Sequence, residues 1–205
     1  MNYTFEINAG IGELDKWKSV PIACMCAASV LPIVARFAQP ITRQVFVQGL
    51  DAIWQSVRDK AADARVMSIR ATLENLPESA CDDSNVPSYE ATVALGVLAH
   101  ALDAIIKDES VSQVRDACAL AANCYSGYDQ VVTRGNEPQK INPHNPPPPG
   151  RLELLQIQSQ FRLVKGARQS GSGLIEEAQT IAAQLSSEIL SVLPIFVAKR
   201  GWDRI

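Results

Sequence analysis

The chain has 205 residues, of which 47% are hydrophobic and 20% are charged, and its formal net charge is −3. This is the composition of an ordinary globular protein, and a chain of this length can bury about 70% of its unfolded surface without a disulfide or a metal ion to stabilise it. The small negative charge argues against a nucleic-acid-binding protein, which usually carries a basic stripe.

The N-terminal residues 1–12 alternate between apolar and polar side chains. The apolar members are Tyr3, Phe5 and Ile7. This alternation predicts a weak strand, or else a frayed N-terminal segment. A helical segment is predicted over residues 13–38, where Pro21 suits the first turn and Pro32 predicts a kink or a split.

Residues 19–35 contain no charged side chain. This stretch is shorter than the roughly 20 apolar residues that span a bilayer, so we expect a buried core helix. The charged residues before it differ from the short basic region of a signal peptide. We therefore expect no membrane partner and a cytoplasmic location.

Apolar residues recur at helical spacing through most of the remaining chain. This periodicity predicts six further helices, at residues 41–63, 65–76, 88–108, 110–132, 151–169 and 173–199. Thr42 and Ser88 are predicted N-caps, and Ser110 with Gln113 forms a predicted capping box. Residues 77–88 have the composition of a loop.

A proline-rich segment at residues 135–150 precedes the sixth helix and includes four consecutive prolines at 146–149. In a polyproline II conformation these four span about 12 Å, enough to cross the end of a helical bundle. The helix that follows has an apolar face that needs a core, which favours an internal loop between antiparallel helices over a docking peptide. The sequence thus predicts one all-α domain over residues 1–205, a bundle of about seven helices.

The five cysteines are odd in number and contain no C-x-x-C pair. They indicate reduced thiols that pack as small apolar side chains. With only two histidines, His100 and His144, they do not form a zinc-ligand pattern. The chain also lacks a phosphate-binding glycine loop and a dinucleotide fingerprint. We expect neither a metal nor a cofactor.

Three blocks of sequence, at residues 14–38, 50–57 and 88–105, resemble a group of small bacterial all-helical proteins. One branch of that group is known as "domain of unknown function 416", and a related branch contains immunity proteins of polymorphic-toxin systems. Asp51 and Trp54 match the second block, although Gln55 stands where glutamate is common. The similarity covers roughly residues 13–165, and it supports the packing positions better than the charged ones.

The resemblance implies an immunity protein that binds and neutralises a cognate bacterial toxin by direct protein–protein contact. Such a protein needs a stable scaffold and a distinctive surface, and no catalytic residue. On this interpretation the chain is not an enzyme, and its partner is a toxin domain.

An asymmetric distribution of charge suggests where the toxin binds. Residues 71–106 contain no lysine or arginine and six acidic residues, namely Glu74, Glu78, Asp82, Asp83, Glu90 and Asp103. Residues 131–170 have the reverse balance, with six basic residues and two acidic ones. An acidic face would steer a basic toxin towards it. The alternative is that the two segments face each other or are only solvated.

The predicted partner-binding residues are Glu78, Asp82, Asp83, Glu90 and Trp202, the last because an exposed terminal tryptophan can anchor an interface. Trp202 packing back onto its own bundle is the alternative. A rival hypothesis is a helical-bundle enzyme with a site near Glu90, His100 and Asp103, joined by Glu153. A homodimer through the long apolar last helix is compatible with either function.

Overall fold

A computed structural model of the protein describes residues 3–134, 148–169 and 173–203, and every regular element in these ranges is an α-helix. The nine helices are α1 (Tyr3–Gly12), α2 (Lys16–Ser29), α3 (Leu31–Phe37), α4 (Pro40–Asp59), α5 (Val66–Leu73), α6 (Pro87–Ile106), α7 (Ser110–Arg134), α8 (Arg151–Gln169) and α9 (Leu174–Arg200). The predicted all-α bundle is confirmed. The count exceeds the predicted seven, and it is eight if α2 and α3, separated only by Val30, are taken as one interrupted helix.

The N-terminal segment is a packed helix, so the expectation of a strand or a frayed start is wrong. Ile7 and Ile11 of α1 are buried, and α1 packs against α7 and α8. These two residues are four apart, a spacing that places them on one face of a helix. A segment this short fits both the strand period and the helix period, and contact with α8 favours the helix.

Helix α2 lies at the centre of the bundle, where it contacts α4, α6, α7, α8 and α9. Asp15 caps it by accepting a hydrogen bond from Lys18 N at 3.1 Å. Pro21 is the sixth residue of α2 and not in its first turn, which corrects the predicted position. Pro32 lies at the start of α3, so the predicted split is confirmed.

Helices α4 and α6 both begin at a proline, Pro40 and Pro87. Proline is favoured there because its fixed φ suits a helix and its missing N–H would have no intrahelical acceptor. The predicted N-caps Thr42 and Ser88 therefore lie inside the helices, one turn or less from their starts.

Helices α7 and α8 form an antiparallel pair. Gln160 Nε2 donates to Cys118 O at 2.9 Å, and Glu153 N donates to Asp129 Oδ2 at 2.9 Å, so later residues of α7 face earlier residues of α8. Asp129 thereby caps α8, and it lies so close that a Cβ on Gly150 would be 2.4 Å from its Cγ. Residues 135–147 of the predicted proline-rich loop lie outside the residues that the structure describes.

The buried apolar residues of the described helices belong to one core cluster. Three stretches are long and apolar enough to cross a membrane by length and composition alone, namely Lys16–Phe37, Pro87–Ile106 and Leu174–Arg200. The bundle buries 72% and 61% of the most apolar part of the first two, but only 44% of that of α9. The expected absence of a membrane partner and the cytoplasmic location stay predictions.

Candidate functional site

The connection between α5 and α6 presents two of the predicted acidic residues. Asp82 and Asp83 are exposed at its tip. Turn hydrogen bonds fold the segment back on itself, including Cys81 N to Glu78 O at 3.2 Å and Val86 N to Asp83 O at 3.2 Å. We call residues 77–86 the acidic loop.

One end of the acidic loop is fixed by Glu78. Its carboxylate accepts hydrogen bonds from Gln39 N at 2.6 Å and from Thr42 Oγ1 at 2.5 Å. Helix α4 has no capping hydrogen bond from its own N-cap side chain, so Glu78 supplies the missing acceptor. A negative charge at this position also interacts favourably with the helix dipole.

Further hydrogen bonds hold the rest of the loop. Thr92 Oγ1 of α6 contacts Glu78 O, and Cys81 Sγ lies 3.3 Å from Ser88 Oγ. Asp83 Oδ1 accepts from Asn85 N at 2.9 Å, which closes a local turn. The backbone of the loop is therefore tied to α4, α6 and itself, while the two carboxylates at its tip face solvent.

Three of the predicted partner-binding residues are buried, so the expected exposure of Glu78 and Glu90 is wrong, and Trp202 adopts the packed alternative of the two that were predicted. The exposed fractions are 2% for Glu78, 8% for Glu90 and 7% for Trp202. Glu78 is engaged with α4, and the other two lie inside the bundle. Asp82 and Asp83 remain as exposed members of the predicted set.

The other acidic residues of the 71–106 stretch have basic partners at its borders. Arg70 Nη1 lies 2.9 Å from Glu74 Oε1, and Arg70 Nε lies 2.9 Å from Asp103 Oδ1. Lys107 Nζ lies 3.1 Å from Asp103 Oδ2. The predicted acidic face is thus reduced to the acidic loop, because basic residues just outside the stretch neutralise its ends.

Helix α8 carries Arg151, Arg162, Lys165 and Arg168 of the basic 131–170 stretch, and it packs against α1, α2, α7 and α9. Its arginines pair with acidic residues of α9 and the α1–α2 connection. The three pairs are Arg151–Glu188, Arg162–Glu177 and Arg168–Glu13. These contacts connect α8 to its neighbours at the surface.

Trp202 packs back onto its own bundle. Its ring lies edge-on to Phe37 and Phe196, with centroid distances of 5.8 Å to each. The Arg200 guanidinium lies 5.4 Å from the Trp202 ring centroid. Gly201 makes this reversal of the chain possible, since its φ of 71° lies in the left-handed region.

Glu90 lies at this same end of the bundle. Burial raises its pKa to about 7, and the nearby Arg200 guanidinium and Tyr128 hydroxyl offset part of the rise. Burial also raises the pKa of Tyr128. Arg200 Nε has no hydrogen-bond partner among the described residues.

The residues of the rival enzyme hypothesis are not brought together. Glu90 and His100 are ten residues apart on α6, about 15 Å along the helix axis. His100 Nδ1 lies 3.1 Å from Gln113 Oε1. Asp103 is occupied by its two basic partners. Glu153 lies in the first turn of α8, near Asp129.

A buried polar group that the sequence analysis missed lies between α2, α7 and α8. Cys26 Sγ and Cys118 Sγ are 3.9 Å apart, and Gln156 and Gln160 place their amides against them. The i, i+4 spacing of the two glutamines on an otherwise apolar face was the available signal. Four of the five cysteines are buried free thiols, as expected, and Cys81 is partly exposed. No group of three or more His, Cys, Asp or Glu side chains with metal-site geometry occurs in the described ranges.

An apolar groove of about 560 Å³ runs between α3 and α9. Its lining includes Pro32, Ala35, Leu193 and Pro194, with Arg36 and Asp203 among its polar residues.

No protein family, curated protein or solved structure was found to match this chain, so the resemblance to the helical immunity proteins stays a prediction.

Proposed function

We propose that the protein is an immunity protein that binds a cognate bacterial toxin by direct contact through the acidic loop. The observation that carries the proposal is the exposure of Asp82 and Asp83 on a loop whose backbone is already fixed. A loop held in place before binding loses less conformational entropy when its partner docks.

The charge of the loop suggests the chemistry of its partner. Within the acidic loop and α6, no basic side chain offsets the two exposed carboxylates. Complementary charge accelerates association and selects against partners with like charge. The proposed partner is therefore a toxin domain with a basic surface around its active site.

The first experiment is affinity purification of the tagged protein from its native host, followed by mass spectrometry. The expected result is stoichiometric co-purification of one protein with a toxic domain. That domain should arrest growth when expressed alone, and this protein should relieve the arrest when both are expressed. Recovery of the protein alone from cells that make the products of its neighbouring genes would contradict the proposal.

The double variant Asp82→Lys/Asp83→Lys then tests the loop. We expect roughly tenfold or weaker toxin binding at low salt, mainly through a slower association rate, because the steering charge is reversed. The matched control is Asp108→Lys/Glu109→Lys, an adjacent pair of exposed acidic residues between α6 and α7 with the same change in net charge. Binding kinetics and thermal unfolding of both variants check the result, and equal affinities would exclude the loop.

A further inference from the structure

The exposed side of α9 carries no charged residue over most of its length. None of the exposed residues from 179 to 198 is charged, and the one acidic residue in this range, Glu188, is partly buried and paired with Arg151. Leu190 and Ile195 are 57% and 47% exposed on this side. Such a strip on α9 is about 30 Å long.

The strip lies beside the apolar groove between α3 and α9. Leu190 and Pro194 line the groove from the α9 side, and Pro32 and Ala35 line it from α3. The same helix thus carries a ridge of exposed side chains next to a concave apolar surface. Ridges and grooves of this kind interlock when two helices pack.

Two residues of opposite charge line the groove. Arg36 and Asp203 are both exposed, and neither forms an ion pair in the part of the chain that the structure describes. In a two-fold symmetric contact, residue i of one copy meets residue j of the other, and j meets i. One symmetric contact would therefore contain two Arg36–Asp203 pairs.

We propose that this face of α9 and the adjoining groove bind a second copy of the same chain. The ridge of one copy occupies the groove of the other, and Arg36 of each copy pairs with Asp203 of its mate. The uncharged strip allows two identical surfaces to meet without placing like charges together. This inference is independent of toxin binding, since it shares no residue with the acidic loop.

The available area predicts a weak dimer. A strip about 30 Å long and roughly 15 Å wide, taken across α9 and the α3 wall, would bury about 900 Å² over both copies, which is below the roughly 1,200 Å² of stable interfaces and typical of weak, transient ones. Dimerisation should therefore depend on concentration over roughly 1 to 100 µM. Sedimentation velocity of the full chain over this range is the first measurement, and a monomer throughout would overturn the proposal.

Charge variants provide the sharper test. Arg36→Glu places two acidic residues together at each contact, and Asp203→Arg places two basic ones together, so each variant alone should be at least tenfold weaker in self-association. An equimolar mixture of the two should associate again, because the heterodimer regains two attractive pairs. An ion pair within one chain cannot produce this rescue. A mixture no better than the separate variants would overturn the proposed contact.

Leu190→Lys tests the apolar part of the same surface. It should abolish the dimer, whereas Met67→Lys, which charges a residue 63% exposed on α5, should not. Circular dichroism checks that each variant is folded. If Leu190→Lys abolishes toxin co-purification and leaves self-association unchanged, the occupant of the groove is the toxin and the second copy is excluded.

Discussion

At the scale of single residues, burial shifts the pKa of the Glu90 carboxyl into the neutral pH range. Glu90 lies on the same side of α6 as the buried Ala94 and Val97, four and seven residues further on. Because burial disfavours the charged form, the pKa of Glu90 rises to about 7 from its ordinary value of 4.5. The almost fully buried Tyr128 hydroxyl lies close enough to Glu90 to offset part of this rise.

This position predicts an unusual dependence of stability on pH. The folded state holds a proton on Glu90 that the unfolded state releases between about pH 4.5 and 7. The contribution to stability is therefore complete below pH 4.5 and is lost as the pH rises through 7. The Glu90→Gln variant removes this titration. Relative to the wild type, its free energy of unfolding should increase by about 3 kcal/mol between pH 4 and pH 8.

Urea unfolding at a series of pH values checks the Glu90→Gln prediction, with circular dichroism to confirm that both proteins are folded at each pH. The informative quantity is the difference between the two unfolding free energies, since it cancels the titration of the other groups. Parallel curves over the whole range would show that Glu90 does not carry the effect.

At the scale of elements, the start of α4 depends on a residue from another part of the chain. Glu78 supplies the acceptor for Gln39 N and Thr42 Oγ1, 39 and 36 residues earlier. Glu78→Ala would leave both donors without this acceptor, and Thr42 is fully buried. We expect a loss of about 2 kcal/mol in the free energy of unfolding, together with faster hydrogen exchange in the acidic loop.

Glu74→Ala is the matched control for Glu78→Ala. Glu74 is an exposed acidic residue of the same segment, paired with Arg70 at the surface, and its removal should change stability by less than about 1 kcal/mol. Urea unfolding and amide exchange of the two variants give the comparison. Equal losses would mean that Glu78 is no more than another surface charge.

The contrast between the exposed carboxylates and the buried Glu78 explains which site residues the sequence could predict. Proline, serine and aspartate between 77 and 88 indicate a loop by their local chemistry, so the exposure of Asp82 and Asp83 could be anticipated. Glu78 lies in the same loop, but its burial is decided by the N-terminus of α4. The local composition gives no information on where a helix that is distant in the sequence begins in space. The helices themselves were predictable because their apolar spacing is local, except at α1, where two periods fit.

At the scale of the whole molecule, coverage of the apolar helices is uneven. Helix α2 is surrounded by α4, α6, α7, α8 and α9, whereas α9 lies at the edge of the bundle and leaves its outer side uncovered. Hydropathy alone does not separate these cases, since the stretch formed by α2 and α3 is, like α9, long and apolar enough to span a membrane. Tertiary packing distinguishes the two, because it covers α2 and leaves part of α9 exposed as a candidate contact surface.

Trp202 packs the C-terminal end of α9 against α3. The Trp202→Ala variant would leave Phe37 and Phe196 without the ring that packs edge-on against both, and it should lower the free energy of unfolding by about 3 kcal/mol. Met67→Ala removes an exposed apolar side chain from α5 and should change it by less than about 0.5 kcal/mol. Urea unfolding of both variants is the measurement. If Trp202→Ala were as mild as Met67→Ala, Trp202 would contribute little to the core, and its role as an exposed anchor for a partner would have to be reconsidered.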